Sequence, residues 1–192
     1  MRCWKTHFVA PQQQREVKGE TSPEQYANQL PTPNKDFTET VELQTYVCDK
    51  TKPTVMVIDD EREMLWFISE IFAQDYNVLP VNDSREVEKI LEDIHPNVII
   101  CDIMMPDVDG ITITRRVKSN PKTSHVPLVL VSAKSQVEER IEGIEAGAEE
   151  YITKPFNVEY LKIAVKHLIT RKETLKEYFS SPISAYELSG GK

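Results

Sequence analysis

Cysteine is scarce in this sequence. Only Cys3, Cys48 and Cys101 occur, at spacings that suit neither a metal cluster nor a disulfide framework, so a reducing, cytoplasmic setting is expected. No apolar run approaches the roughly 20 residues that span a bilayer. The N-terminal stretch MRCWKTHFVAPQQQ lacks the apolar centre of a signal peptide. Hydrophobic residues make up 40% of the chain and the mean hydropathy is −0.43, which points to a soluble protein without membrane contact. Neither GxGxxG nor GxxxxGK(S/T) occurs, so the glycine-rich loops that cradle dinucleotides and nucleotide phosphates are missing. Basic residues are in deficit where the chain is most regular. Residues 53–171 hold 13 Lys and Arg against 21 Asp and Glu, and so carry the whole net charge of −8. Phosphate contacts need net positive charge, so this block should not bind nucleic acid directly. The four histidines, His7, His95, His125 and His167, match no metal spacing and read as surface residues.

What is present is a repeated alternation. Residues 1–52 read as a largely irregular arm with Gln12-Gln13-Gln14 and prolines at 11, 23, 31 and 33. A short strand over Val41–Val47 is suggested there by the alternation in VELQTYV. From Pro53 onward, apolar runs alternate with amphipathic stretches. The runs predict strands at Thr54–Ile58, Asn77–Val81, Val98–Asp102, Val126–Val131 and Glu150–Thr153. Helices are expected at Glu61–Ala73, after an N-cap at Ser84, at Gly110–Ser119, at Ser135–Ala146 ending near Gly147, and from Val158 onward. Purely apolar strands between amphipathic helices imply an α/β fold. Its parallel sheet is covered on both faces and doubly wound by right-handed crossovers. In such sheets the functional crevice lies at the carboxyl ends of the strands.

The residues at those ends are polar in a particular way. The first strand stops at Asp59-Asp60, the third at Asp102, the fourth at Ser132, and the fifth runs into Lys154. Each has an ordinary reading by itself. Asp102 could be a strand-end turn acid, Ser132 a cap, Lys154 a solvated lysine and Tyr151 a half-buried strand aromatic. Asp107 and Asp109 read as turn formers before Gly110. Together, three carboxylates, a hydroxyl and an ammonium share one sheet edge. Converging acids repel unless a cation offsets them. Oxygen donors suit Mg²⁺, and a metal facing a lysine forms a clamp for a phosphoryl group. A carboxylate is also a competent nucleophile towards phosphorus.

Four motifs at successive strand ends, VIDDE, DIMMPDVDG, VSA and YITKPF, make residues 53–171 resemble a response regulator receiver (CheY-like) domain of two-component signalling. The resemblance implies a flavodoxin-like five-stranded sheet of order 2-1-3-4-5. It also implies Asp102 as phosphoacceptor and Mg²⁺ as cofactor, held by Asp59, Asp60, Asp102 and the backbone carbonyl of Met104. Of the acidic pair, Asp60 would be the direct ligand and Asp59 would act largely through water. Ser132 and Lys154 would bind the phosphoryl group, Ser132 and Tyr151 would act as the switch, and Pro155 would follow a cis peptide bond. The implied partner is a histidine kinase or its phosphohistidine domain. The implied output face is formed by the fourth helix, fifth strand and fifth helix.

Two further expectations concern the chain ends. Val165, Leu168, Lys172, Leu175 and Phe179 step by three and four residues; up to about Ile169 this reads equally as an amphipathic helix packing its own core, and beyond it as a seam that suggests a phosphorylation-dependent homodimer. The segment KEYFSSPISAYEL, within a helical extension and truncated linker at 172–192, resembles the joint after receivers in hybrid histidine kinases that carry an AraC-type output. The arm would then be the tail of a kinase ATP-binding domain plus a linker. Two other functions compete with the signalling receiver, which is not itself an enzyme. One is a phosphatase with an aspartyl-phosphate intermediate, which normally places a second acid two residues past the nucleophile, where this chain has Met104. The other is a receiver used only as an interaction module.

Overall fold

The computed structural model describes residues 49–180, with the side chains of Leu175, Lys176, Glu177, Phe179 and Ser180 outside that description. The suggested strand at Val41–Val47, most of the N-terminal arm, the segment after 180 and the seam side chains Leu175 and Phe179 lie outside the described residues.

Five strands form one parallel sheet: β1 (Thr54–Ile58), β2 (Asn77–Val81), β3 (Val98–Asp102), β4 (Leu128–Ser132) and β5 (Glu150–Thr153). Their order is β2-β1-β3-β4-β5. Five helices connect or follow them: α1 (Arg62–Ala73), α2 (Val87–Asp93), α3 (Gly110–Ser119), α4 (Val137–Glu145) and α5 (Val158–Ser180). The fold is thus the flavodoxin-like one. The order reverses between β1 and β3, whose ends carry Asp59 and Asp102.

Alternate strand residues feed two separate cores, because successive side chains in a strand point to opposite faces. Met56, Ile58, Ile99, Cys101, Leu128 and Leu130 pack with residues of α2 and α3, and with Ala146 and Ala148 just after α4, on one face. Val55, Val57, Ile100, Val129 and Val131 pack with Leu65, Ile68 and Phe72 of α1 and Leu161, Val165 and Ile169 of α5 on the other. Each fully buried aliphatic side chain contributes about 1.5–3 kcal/mol. β3 and β4 are buried at all five positions, which makes the central strands the rigid frame for whatever sits at their ends.

Three boundaries differ from the sequence expectation, each for a local reason. β4 begins at Leu128, not Val126. The Val126 N–H is used in a turn to the Thr123 carbonyl (2.8 Å), and Pro127 has no N–H, giving only its carbonyl to Ile99 (2.9 Å). Ser132 is consequently the last residue of β4, paired with Thr153. Ser84 is not the N-cap of α2. It opens a short 3₁₀ turn that Asp83 caps, accepting from the Arg85 N–H, while the Ser84 hydroxyl accepts from the Val108 N–H at 3.1 Å. Helix α4 starts two residues later than expected because Gln136 is still extended and gives no side-chain cap. It closes with a Schellman turn: Gly147, at φ 104°, donates to the Ile144 carbonyl and Ala148 to that of Gly143.

The last helix runs on to Ser180, but its seam is largely spent inside the domain. Val165 is fully buried, Leu168 packs against the same core, and the Lys172 ammonium donates to the Pro96 carbonyl.

Candidate functional site

The sheet brings Asp59, Asp102 and Lys154 together at its carboxyl edge. Asp59 follows β1 directly and is 2% exposed. Its backbone N–H donates to the Val81 carbonyl (3.2 Å), which turns its side chain inward. Oδ1 then accepts from the Glu61 N–H at 2.9 Å and Oδ2 from the Lys154 ammonium at 3.1 Å. Asp102, also buried, accepts from the Met104 N–H at Oδ2 (2.6 Å) and from Lys154 at Oδ1 (2.6 Å). Lys154 therefore bridges the two carboxylates from across the sheet. The peptide bond that follows it, to Pro155, is cis.

Burial pushes the Asp59 carboxyl up to about 6, and the charge of Asp102 adds to this; the Lys154 ammonium and the Glu61 N–H hold it from rising further. For Lys154, burial works against the charge, but the hydrogen bond to Asp102 and the charges of Asp59 and Asp102 outweigh it and lift its pKa above the ordinary lysine value.

Asp60, next in the chain, points the other way. It is exposed and lines a depression of about 290 Å³ with Asn82, Asp83, Arg85, Glu86 and Asp107. Among the described residues no group of three or more His, Cys, Asp and Glu side chains is gathered closely enough to hold a metal ion. The expected convergence of three carboxylates is therefore observed as a buried pair on Lys154 with Asp60 beside it. The donor set still fits Mg²⁺. It consists of oxygens only, it carries more buried negative charge than one lysine neutralises, and Mg²⁺ needs just one or two carboxylates with several waters.

The β3–α3 loop is held close to Asp102. Asp109 caps α3, accepting from the Thr112 N–H (2.8 Å) and hydroxyl (2.7 Å), a role sharper than the turn former expected of it. A Cβ on Gly110 would lie 2.2 Å from the Asp102 carbonyl oxygen, so only glycine fits there. Met104, whose backbone N–H holds Asp102, is 55% exposed.

Ser132 is fully buried and its hydroxyl accepts from the Lys134 N–H at 3.1 Å. Tyr151 is 5% exposed and its hydroxyl donates to the Lys134 carbonyl at 3.1 Å. The aromatic ring thus lies inward in this structure. Lys134, two residues past Ser132, was expected only as an exposed lysine flanking the site; its backbone joins Ser132 to Tyr151, and the residue that the sequence reading overlooked is Glu139, whose carboxylate holds the Lys134 ammonium at 2.5 Å. The pair is five residues apart across a loop–helix boundary, a spacing with no signature of its own.

The model of the response regulator receiver domain family matches residues 55–166. The chain belongs to that family. The receiver is similar to histidine kinase P4 of Formosa agariphila, 32% identical over 139 residues that make up 72% of this chain and 10% of the kinase. It is also similar to the phosphate regulon transcriptional regulatory protein PhoB of Pseudomonas aeruginosa, 32% identical over 121 residues, or 62% of this chain and 52% of that one. Among solved structures, the receiver domain of the Francisella response regulator 1452 is 31% identical with a TM-score of 0.58, covering 62% of this chain and 98% of that chain. The beryllofluoride-activated DrrB receiver domain is 30% identical with a TM-score of 0.57, over 62% of this chain and 99% of that one. The receiver thus spans from a tenth to about half of these curated relatives. Its membership places it among the receivers of two-component signalling, which typically use Mg²⁺ and act as signalling modules. No helix among the described residues is long and apolar enough to cross a membrane.

Proposed function

We propose that Asp102 is the phosphoacceptor and that the receiver takes its phosphoryl group from a phosphohistidine. The observation that carries this reading is the Lys154 bridge: one ammonium holds Asp102 at 2.6 Å and Asp59 at 3.1 Å. It fixes a carboxylate oxygen of Asp102 at the sheet edge, where phosphorus can reach it. In the transfer, an Asp102 oxygen forms the new bond to phosphorus. The P–N bond breaks, and its electron pair stays on the imidazole nitrogen. Lys154 then moves from neutralising Asp102 to neutralising the phosphoryl group, a charge-assisted contact of the strong kind. The Met104 N–H holds the other Asp102 oxygen and so orients the carboxylate. Asp59, Asp60, Asp102 and the Met104 carbonyl would hold Mg²⁺, which supplies charge neutralisation on the phosphoryl oxygens. The Ser132 hydroxyl, now an acceptor for Lys134, is free to donate its own proton to a phosphoryl oxygen. Met104 supplies no second acid, which disfavours a phosphatase. The intact pairing of Asp59, Asp102 and Lys154 disfavours a purely passive interaction module.

The proposed output is control of a transcriptional partner or domain, in line with the similarity to a transcriptional regulator, and the similarity to a histidine kinase supports a hybrid context. The docking or pairing face is α4–β5–α5. Its apolar residues are Val137, Ile141 and Ile144 on α4 and Tyr160 and Ile163 on α5, all about half exposed or more. Of the seam residues first expected to pair two copies, Val165 and Leu168 already serve the core. The test is labelling of the full chain with phosphoramidate and Mg²⁺, followed by hydroxylamine. The expected product is one phosphoryl group that hydroxylamine removes, as it does from a carboxyl. A hydroxylamine-resistant phosphate would place the chemistry on a hydroxyl and refute the reading.

A further inference from the structure

We propose that the Lys134–Glu139 ion pair is the mechanical link that carries a change at the phosphoryl site into helix α4, with Glu139 as a positioning residue. This rests on the reading of Asp102 as phosphoacceptor. Lys134 makes three contacts in three directions. Its backbone N–H donates to the Ser132 hydroxyl (3.1 Å), its carbonyl accepts from the Tyr151 hydroxyl (3.1 Å), and its ammonium sits on Glu139 Oε1 (2.5 Å). Glu139 stands in the first turn of α4, where Gln136 offers no side-chain cap. Any displacement of Ser132 towards a phosphoryl oxygen must disturb the Lys134 backbone, because the two are hydrogen-bonded. The ammonium then either pulls the first turn of α4 with it or releases Glu139.

Release is the costly choice. The second carboxylate oxygen, Glu139 Oε2, is buried with no hydrogen-bond partner among the described residues. Among the described residues, Lys134 is the one cation on this carboxylate. Glu139 is 22% exposed and one of its oxygens is already unpartnered, so stripping the carboxylate of its cation is disfavoured, by more than at a fully exposed pair. The pair therefore moves as a unit, and α4, with its exposed Val137, Ile141 and Ile144, moves with it. The same contact fixes Tyr151, since the carbonyl that its hydroxyl bonds belongs to the residue Glu139 holds. Site, aromatic switch and output helix are thus joined at Lys134. By reciprocity, a partner that docks on α4 should change the affinity of the site for a phosphoryl mimic.

The experiment is hydrogen exchange of the α4 amides (137–145) in the full chain, with and without beryllofluoride and Mg²⁺. Wild type should show a several-fold change in exchange on binding the mimic. Glu139→Gln and Lys134→Met should each bind the mimic yet lose most of that response, whereas Lys134→Arg should keep it. The exchanged pair, Lys134→Glu with Glu139→Lys, should regain it. Lys134 is about half exposed, so its substitution tests the link without opening the core. A response in Glu139→Gln equal to that of wild type, or an absent response in wild type that binds the mimic, would overturn the proposal. Mass mapping of acetyl phosphate-treated protein separates the two levels. A phosphoryl group found away from Asp102 sinks the phosphoacceptor reading and this proposal together. A phosphoryl group on Asp102 with an undiminished α4 response in both single variants sinks the proposal alone.

Discussion

Asp59→Asn should stabilise the metal-free protein at neutral pH and leave it nearly unchanged in mild acid. Asp59 is an acid whose folded pKa is raised, to about 6 from the usual 3.8, because burial outweighs its ion pair with Lys154, so the sign is opposite to that of a carboxylate whose pKa is depressed. Near pH 4 and below, the folded group is protonated and burial costs no charge. As pH rises through 4 to 6, the unfolded chain releases this proton while the folded chain still binds it, so stability falls. Above about 6 the loss is complete. About two pKa units correspond to about 3 kcal/mol at 1.36 kcal/mol per unit. Asparagine keeps an oxygen for the Glu61 N–H and removes the charge, and with it this slope. With a urea m value of about 1–3 kcal/mol/M, the unfolding midpoint at pH 7.5 should rise by about 1–3 M over wild type. The assay is urea unfolding in a chelator, followed by circular dichroism and Trp66 fluorescence, at pH 7.5 and pH 4.5. Adding Mg²⁺ should narrow the gap at pH 7.5 by stabilising wild type alone, since a bound ligand stabilises only the state that holds it. A gap that is the same at both pH values, or a variant less stable than wild type at pH 7.5, would refute the reasoning.

Four other outcomes are expected. Lys154→Met leaves two buried carboxylates without a cation, and should cost about 3 kcal/mol at pH 8 but clearly less at pH 5, where Asp59 carries a proton; paired urea titrations check this. Gly110→Ala places a methyl against the Asp102 carbonyl at 2.2 Å and should lower stability by at least about 1–3 kcal/mol, together with the rate of phosphorylation, read by calorimetry and a timed mass assay. Met104→Asn exchanges a thioether, which cannot position a water, for an amide that can hold one in line behind phosphorus, and should shorten the phosphoryl lifetime several-fold in a decay measurement; an unchanged lifetime would show that this side chain does not govern attack by water. Ile141→Asp, on the exposed face of α4, should abolish any association induced by beryllofluoride in light scattering while leaving mimic binding intact.

Much of the site was legible in the sequence because β-strand chemistry is local. An apolar run that stops on an acid announces both a buried strand and a charged edge, which placed Asp59 and Asp102, and the polar residues at the ends of the next two strands placed Ser132 and Lys154. The strand order came from the family resemblance, and β3 and α3 fell on the expected residues. What the sequence did not carry depends on three-dimensional partners. Asp59 is buried because its backbone continues the β1–β2 ladder onto the Val81 carbonyl, while Asp60 lies one residue beyond that ladder and is exposed. β4 starts two residues late because the Val126 N–H belongs to a turn and Pro127 has none to give. The seam on α5 was sound as a pattern, but pattern alone could not tell a second copy from the protein's own core, which takes Val165 and Leu168. The Lys134–Glu139 pair crosses a loop–helix boundary where no periodicity applies, so nothing in the chain announced it.

The most direct test of the phosphoacceptor is peptide mapping by mass spectrometry after incubation with acetyl phosphate and Mg²⁺, in wild type and Asp102→Asn side by side. The expected result is a single phosphoryl group in the wild-type peptide that contains Asp102, absent when a chelator replaces Mg²⁺ and absent from Asp102→Asn, which should keep the wild-type circular dichroism spectrum. A Mg²⁺-dependent phosphoryl group of equal yield in folded Asp102→Asn would contradict the assignment of Asp102.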